Sequence, residues 1–281
     1  MKKITIVIVT FNSQNQITAC LDSIAKNLSE NLSAVIVIID NNSSDKTIEF
    51  IKENRSLEII LVKNDENRGF AGGVNQGLKY NQENIEADFV LLLNPDASLK
   101  KKCLEKMLEI FQVDEKIGLV SSKIINPENN QIWFCGGKID WLKMKTSHIS
   151  LCENIFTKEV QYLSGCCLMM RKKALEKVGF FDEKFFLYYE DTDYSLRAKK
   201  NGFDLALAKN AICFHKESQS SDSKTKNHHL VKSGMIFFKK HYPKPLLPYF
   251  YLVLFLRIFY HRFFSRKKEV YLGLTEFFWK R

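Results

Sequence analysis

Three short apolar runs in the first hundred residues, at 4–9, 35–39 and 89–93, stop at polar or acidic residues: Thr10-Phe11-Asn12, Asp40-Asn41-Asn42 and Asn94-Pro95-Asp96. Runs of this length, rich in Val, Ile and Leu and separated by stretches of helical period, predict a mostly parallel sheet buried on both faces. Between the first two runs, Ile17, Cys20, Leu21 and Ile24 recur at helical spacing. Asp45 is placed to cap a helix to about residue 54, and 57–62 reads as a third strand. A helix over 74–81 and a basic amphipathic helix, capped by Asp96 or Ser98 and running to 111, complete this half. Ligands of such sheets bind outside the carboxyl ends of the strands, so the polar junctions predict the position of the pocket.

The second half predicts strands at 118–125, 132–139 and 162–170, and a helix over 172–178 that closes at Gly179. A last helix, ending at Asn201-Gly202, opens on the acid-rich Glu190-Asp191-Thr192-Asp193. The fold class is therefore α/β, with a nucleotide-binding half at 1–112, a second half at 113–216, and a helical tail at 217–281.

Candidate chemistry sits at the element ends. Asp96 has two readings, a helix N-cap or a ligand for a hard divalent cation. Glu190, Asp191 and Asp193 either satisfy a helix dipole or, as crowded like charges, raise one another's pKa toward that of a base. The glycines at 69–77 form a tight turn or offer amides to an anion. They match neither the dinucleotide fingerprint, whose glycines follow the first strand, nor the P-loop, which needs Gly-Lys-Ser/Thr. His215, after Ile212-Cys213-Phe214, is a half-buried histidine on its own and a candidate ligand in company.

Charge changes the picture only once it is located. The net +10 arises entirely in the tail: residues 1–215 balance 28 Lys+Arg against 28 Asp+Glu, whereas 216–281 carry 14 against 4, with 15 of the 35 aromatic residues. Basic and aromatic character together predict a surface element held at anionic headgroups, the alternative being a helix packed on the domain or in a dimer. The apolar run after Pro248 is only eight residues, against roughly 20 for a membrane span. No zinc-finger, RNP-type or helix-turn-helix pattern supports nucleic-acid binding. Seven cysteines without a CxxC pair predict neither a disulfide framework nor a structural zinc site, and favour a reducing cytosol. The Met1-Lys2-Lys3 start reads as the edge of the first strand, not as a signal peptide.

Taken together, Ile8-Val9-Thr10-Phe11-Asn12-Ser13, Asp40-Asn41-Asn42-Ser43-Ser44-Asp45, residues 67–77, Leu92-Leu93-Asn94-Pro95-Asp96 and residues 179–197 occur in the order seen in family 2 glycosyltransferases. Residues 3–216 resemble that family, and within it the rhamnosyltransferase-type enzymes of bacterial surface polysaccharide assembly. The resemblance implies a GT-A fold and an inverting transfer from a nucleoside-diphosphate sugar, such as dTDP-rhamnose or a UDP-sugar, to a glycan or polyprenyl-linked acceptor at the inner membrane face. It places the nucleoside at Thr10, Asn12 and Asp40, the diphosphate and sugar at Gly72, Gly73 and Asn75, and further substrate contacts at Asn67, Asn94, Gly165 and Asp193. Asp191, beside Glu190, matches the general base. Asp96 and His215 match ligands of Mg2+ or Mn2+, although Asn94 replaces the first acid of the DxD motif. The competing reading is a sugar-nucleotide-binding module without catalysis, against which the joint presence of Asp40, Asp96, Asp191 and His215 argues.

Overall fold

A computed structural model describes residues 2–30, 32–152, 160–216, 223–265 and 267–279. Strands β1 (Lys2–Thr10), β2 (Leu32–Asp40), β3 (Ile59–Lys63) and β4 (Phe89–Leu93) pair in parallel in the order β3-β2-β1-β4. The unbroken burial of β1 follows from helices on both faces. Ile4, Ile6 and Ile8 share a core with the buried face of α1 (Ile17–Ala25), while Val7 and Val9 pack with Ala71, Val74 and Leu78 of α3 (Gly69–Tyr80). The alternation of strand side chains assigns each residue its face. Helix α2 (Thr47–Glu53) is capped by Asp45 as expected, with the Thr47 amide donating to Oδ1 at 3.0 Å.

The sheet continues through β10 (Cys167–Arg171), antiparallel to both β4 and β6 (Ile117–Ile125), then through β11 (Asp204–His215), parallel to β6, to β5 (Ala97–Leu99). Several sequence expectations are corrected here. Only 167–171 of the predicted strand at 162–170 joins the sheet, because the Leu163 amide donates to Ser195 Oγ and the Gly165 amide to Asp191. The run at 132–139 breaks at Gly136 (φ +107°) into β7 (Ile132–Phe134) and β8 (Gly137–Asp140), and β8 pairs with β9 (Lys145–His148). Neither Asp96 nor Ser98 caps α4 (Cys103–Val113). Its first amide donates to Asn27 Oδ1 at 2.8 Å, and Ser98 lies in β5.

A disulfide joins Cys135 to Cys152, against the sequence expectation. The chain returning from β9 lies beside Cys135, whose amide donates to the Ile149 carbonyl at 2.9 Å, and the Cα atoms are 5.8 Å apart. The free cysteines 20, 103, 166, 167 and 213 are all buried.

Helices α5 (Lys172–Val178) and α6 (Glu190–Lys200) precede a tail of α7 (Ser223–His241), α8 (Leu247–Phe263) and α9 (Lys268–Trp279). The tail packs on the domain along one side: Phe237, Phe238, Phe250, Leu254 and Leu274 are core residues, and Trp141 stacks on Phe237. Asp193 pins α6 to α7. Fully buried, it accepts from Arg197 Nε at 2.8 Å and from Lys240 Nζ and His241 Nε2 at 2.7 Å each. The expected substrate contact at Asp193 is thus corrected to a structural ion cluster.

Although desolvation opposes it, the hydrogen bonds of His241, Lys240 and Arg197 and the charge of Arg197 hold the Asp193 carboxyl down at about 2. A depressed folded-state pKa contributes stability that is complete above the unfolded value near 4 and lost as pH falls from about 4 toward 2, here about 2 kcal/mol. Denaturant melts across that window should show the loss, and Asp193→Asn should remove this pH dependence while lowering stability at pH 7. A second prediction concerns α3. A Cβ on Gly73 would lie 2.7 Å from Val9 Cγ1, and one on Gly77 would collide with Val7 Cγ1. Gly73→Ala and Gly77→Ala should each lower unfolding free energy by about 1–3 kcal/mol in thermal melts.

Candidate active site

A cleft of about 520 Å3 opens at the carboxyl ends of the strands, where the polar junctions place it. At one end are Thr10 and Asn12, which follow from β1, and Asn41, which follows β2. Thr10 and Asp40 face one another in register, and Thr10 Oγ1 donates to Asp40 Oδ1 at 2.8 Å. Asp40 also accepts from the Ser43 hydroxyl at 2.6 Å and the Ser43 amide at 2.9 Å, with no exposed surface. It therefore braces Thr10 from behind and presents no face to the cleft. Asn12, at φ +50°, accepts the Ser44 amide at 2.9 Å and ties the β1 and β2 loops together.

The glycine-rich turn is built by Asn67, whose Oδ1 accepts the Gly69 amide, with Gly69 at φ +73°. Asn67 and Gly69 line the cleft. Gly72, Gly73 and Asn75 do not: helix α3 starts at Gly69, five residues before the predicted start, which carries these residues onto its packed side. Asn75 instead donates to the Phe181 carbonyl and Glu183 Oε1 and accepts the Phe181 amide at 2.8 Å. The Phe70 amide donates to the Phe186 carbonyl at 2.8 Å. Helix α3 so holds the segment that delivers Asp191.

That segment ends in two consecutive left-handed residues, Tyr188 (φ +69°) and Tyr189 (φ +68°), a conformation that non-glycine residues rarely adopt and that persists only under strong tertiary constraint. Tyr189 packs on Phe237 and Phe238, and Ser233 on α7 donates to the Leu187 carbonyl. The turn aims Glu190 and Asp191 into the cleft. Burial pushes both carboxyls above the usual range, Glu190 well above it. They differ in partners. Asp191 accepts the Gly165 amide at 2.9 Å and the Thr192 amide at 2.6 Å, bonds that favour its ionised form, whereas Glu190 Oε2 is buried with no hydrogen-bond partner among the described residues. Environments this different separate a carboxylate from a neutral acid.

At the other end, β5 and β11 pair so that His215 lies opposite Ala97, and His215 Nε2 is 3.2 Å from Asp96 Oδ1. The two expected metal ligands are thus brought together, each side chain nearly buried, with Asn94 also on the cleft wall. Among the described residues no three His, Cys, Asp or Glu side chains converge as a metal cage. One carboxylate and one imidazole suit a divalent ion that takes its remaining oxygens from a bound diphosphate and water.

The sequence reading missed the aromatic wall between these ends. The Trp133 ring centroid is 4.5 Å from that of His148 and 4.9 Å from that of His215, and Tyr162, Phe186 and Tyr188 also face the cleft. Trp133 and His148 arrive through the β7 to β9 excursion inside the irregular segment 126–160. Residues 153–159 of that segment lie outside the described residues.

The chain has relatives among known proteins. The chain is 24% identical over 226 residues to the low-salt glycan biosynthesis hexosyltransferase Agl10 of Haloferax volcanii, covering 76% of this chain and 67% of that one. It is 28% identical over 219 residues to a poly-beta-1,6-N-acetyl-D-glucosamine synthase of Staphylococcus aureus, of which it spans half the length. Among solved structures, the mannosyltransferase PcManGT from Pyrobaculum calidifontis in complex with GDP-Man and Mn2+ superposes with a TM-score of 0.63 at 16% identity, over 98% of this chain and 73% of that one. S. aureus TarS 1-349 in complex with UDP gives 0.59 at 18%, over 84% and 65%. These likenesses establish the GT-A fold, and residues 5–179 match the glycosyl transferase family 2 profile; the chain belongs to glycosyltransferase family 2.

Proposed function

We propose that the protein is an inverting glycosyltransferase that moves a hexosyl or rhamnosyl unit from a nucleoside-diphosphate sugar to a hydroxyl of a glycan or lipid-linked acceptor in cell-surface polysaccharide synthesis. One observation carries this reading: a single cleft joins the Thr10 and Asn12 end, the Asp96–His215 pair, and a carboxylate held by the Gly165 and Thr192 amides. The relatives named for hexosyl transfer and for poly-N-acetylglucosamine synthesis support surface glycans as the product class.

In this reading the nucleoside lies against Thr10, Asn12 and Asn41, with Asp40 fixing Thr10 from behind. Asp96 and His215 hold Mg2+ or Mn2+, which when bound neutralises charge on the departing diphosphate. Asp191 takes the proton of the acceptor hydroxyl as its oxygen attacks the anomeric carbon from the face opposite the leaving group. Burial pushes the Glu190 carboxyl well above the usual range, whereas the Gly165 and Thr192 amides favour the ionised form of Asp191, which makes Asp191 the better proton acceptor. The aromatic wall of Trp133, Tyr162 and Tyr188 offers flat apolar surface to a sugar ring, with Gly165 and Asn94 forming the floor. The resemblance to rhamnosyltransferase-type enzymes favours dTDP-rhamnose, and the TarS structure with UDP keeps a UDP-sugar open as donor.

Asp191→Asn should reduce transfer by about a hundred- to ten-thousandfold while leaving the Kd for the sugar nucleotide within about twofold, because the amide keeps the shape but accepts no proton. Since burial raises the Asp191 pKa, the acid limb of the kcat/KM profile should lie above the ordinary Asp value of about 4, with activity falling below it. Asp96→Ala or His215→Ala should weaken Mn2+-dependent nucleoside-diphosphate binding about 10- to 100-fold in calorimetry. If no sugar nucleotide in a donor screen releases nucleoside diphosphate, the protein is a binding module. If EDTA leaves full activity, the metal assignment fails.

A further inference from the structure

Helix α8 is apolar on two sides, and only one is covered. Phe250 and Leu254 point into the core, and the helix is fixed to the β8–β9 hairpin by Tyr249 Oη donating to the Leu142 carbonyl and an Arg257 Nη donating to the Lys143 carbonyl at 2.6 Å. On the opposite side Leu252, Phe255, Leu256, Phe259, Tyr260 and Phe263 are each between 48% and 66% exposed. At 100° per residue these six fall within an arc of about 140°. A patch of this kind on a soluble surface marks an interaction site.

Its surroundings identify the partner. From Asp222 to Glu269 the sequence contains no other acid and eleven Lys or Arg, and exposed Lys244, Arg262, Lys267 and Lys268 bracket the outer face of α8. Apolar side chains inside a basic rim match an anionic lipid surface, acyl region beneath the face and headgroups beneath the rim. A symmetric pairing of two copies through α8 would instead set one basic rim against another. Among the described residues no helix is long and apolar enough to cross a membrane, so the complementary arrangement is a helix lying in the interface.

We propose that the outer face of α8 docks the folded protein on an anionic lipid bilayer. The placement has a consequence for the cleft. A cavity of about 260 Å3 behind α8, lined by Arg257 and His261, shares Tyr189 and Leu230 with the active-site cleft. Docking through α8 therefore brings the bilayer to the helix that backs this end of the cleft. This inference is independent of the transferase reading, since it rests on the tail alone.

The test uses the full chain in co-sedimentation with vesicles of phosphatidylcholine, with and without phosphatidylglycerol. The protein should bind the mixed vesicles at low salt, and binding should weaken about tenfold or more in pure phosphatidylcholine or at about 0.5 M salt. Leu256→Glu with Phe259→Glu, both on the uncovered side, should weaken vesicle binding about tenfold or more with an unchanged thermal melt. Lys267→Glu with Lys268→Glu should weaken binding and flatten its salt dependence. Failure of the full chain to bind mixed vesicles at low salt overturns the proposal. Wild-type vesicle binding by the Leu256/Phe259 variant does so too, as does a dimer, seen by light scattering, that this variant dissociates while vesicle binding persists. Since the vesicle assay contains no nucleotide, its failure would leave the glycosyltransferase reading untouched.

Discussion

Asp193 lies without solvent exposure between α6 and α7 and accepts from three basic side chains, two of them on the tail helix. A buried carboxylate is tolerable only when fully compensated, so the tail cannot leave without stranding the charge. The same helix turn carries Glu190 and Asp191, three and two residues upstream, into the cleft. The orientation of the proposed base, the strained Tyr188-Tyr189 turn and the seating of the last three helices therefore depend on one electrostatic constraint. Lys240 extends it by pairing also with Asp182 at 2.6 Å, which draws the loop before the strained turn into the same cluster.

The second constraint is steric. Gly73 and Gly77 stand four residues apart on one face of α3 and let that helix approach β1 more closely than any side chain would allow. From this position Asn75 fixes the Phe181 backbone and Phe70 fixes that of Phe186. Together α3 and α7 hold the segment before Asp191 from two sides. The first secures it by backbone hydrogen bonds and the second by ion pairs and aromatic contact.

Much of this was legible in the sequence because strand ends are written as changes from apolar to polar. Thr10, Asn94, Asp96 and His215 stand at such changes and Asp191 at an acid-rich helix start, and the structure puts each on the cleft. What a linear motif does not state is the direction in which a side chain points. Gly72, Gly73 and Asn75 sit one turn from the cleft-lining Gly69 yet face the packed interior, and the i, i+4 spacing of Gly73 and Gly77 was the available sign of a packing role. Asp193 shares an acidic cluster with Asp191, but two residues along a helix are about 200° apart, so the pair could not face one site. The strand predicted over 162–170 continued through apolar residues whose first half is held away from the sheet by side chains of α6. Trp133 and His148 carried no signal at all, since only the fold of the excursion after β6 brings them to the cleft.

Trp133 touches both ends of that cleft. Its ring leans on His215 of the proposed ion pair and on His148 of the acceptor wall, so no rigid partition separates the donor half from the acceptor half. One indole thus walls the cleft beside both histidines, and a smaller side chain at position 133 would open a gap next to His215 and next to His148 at once.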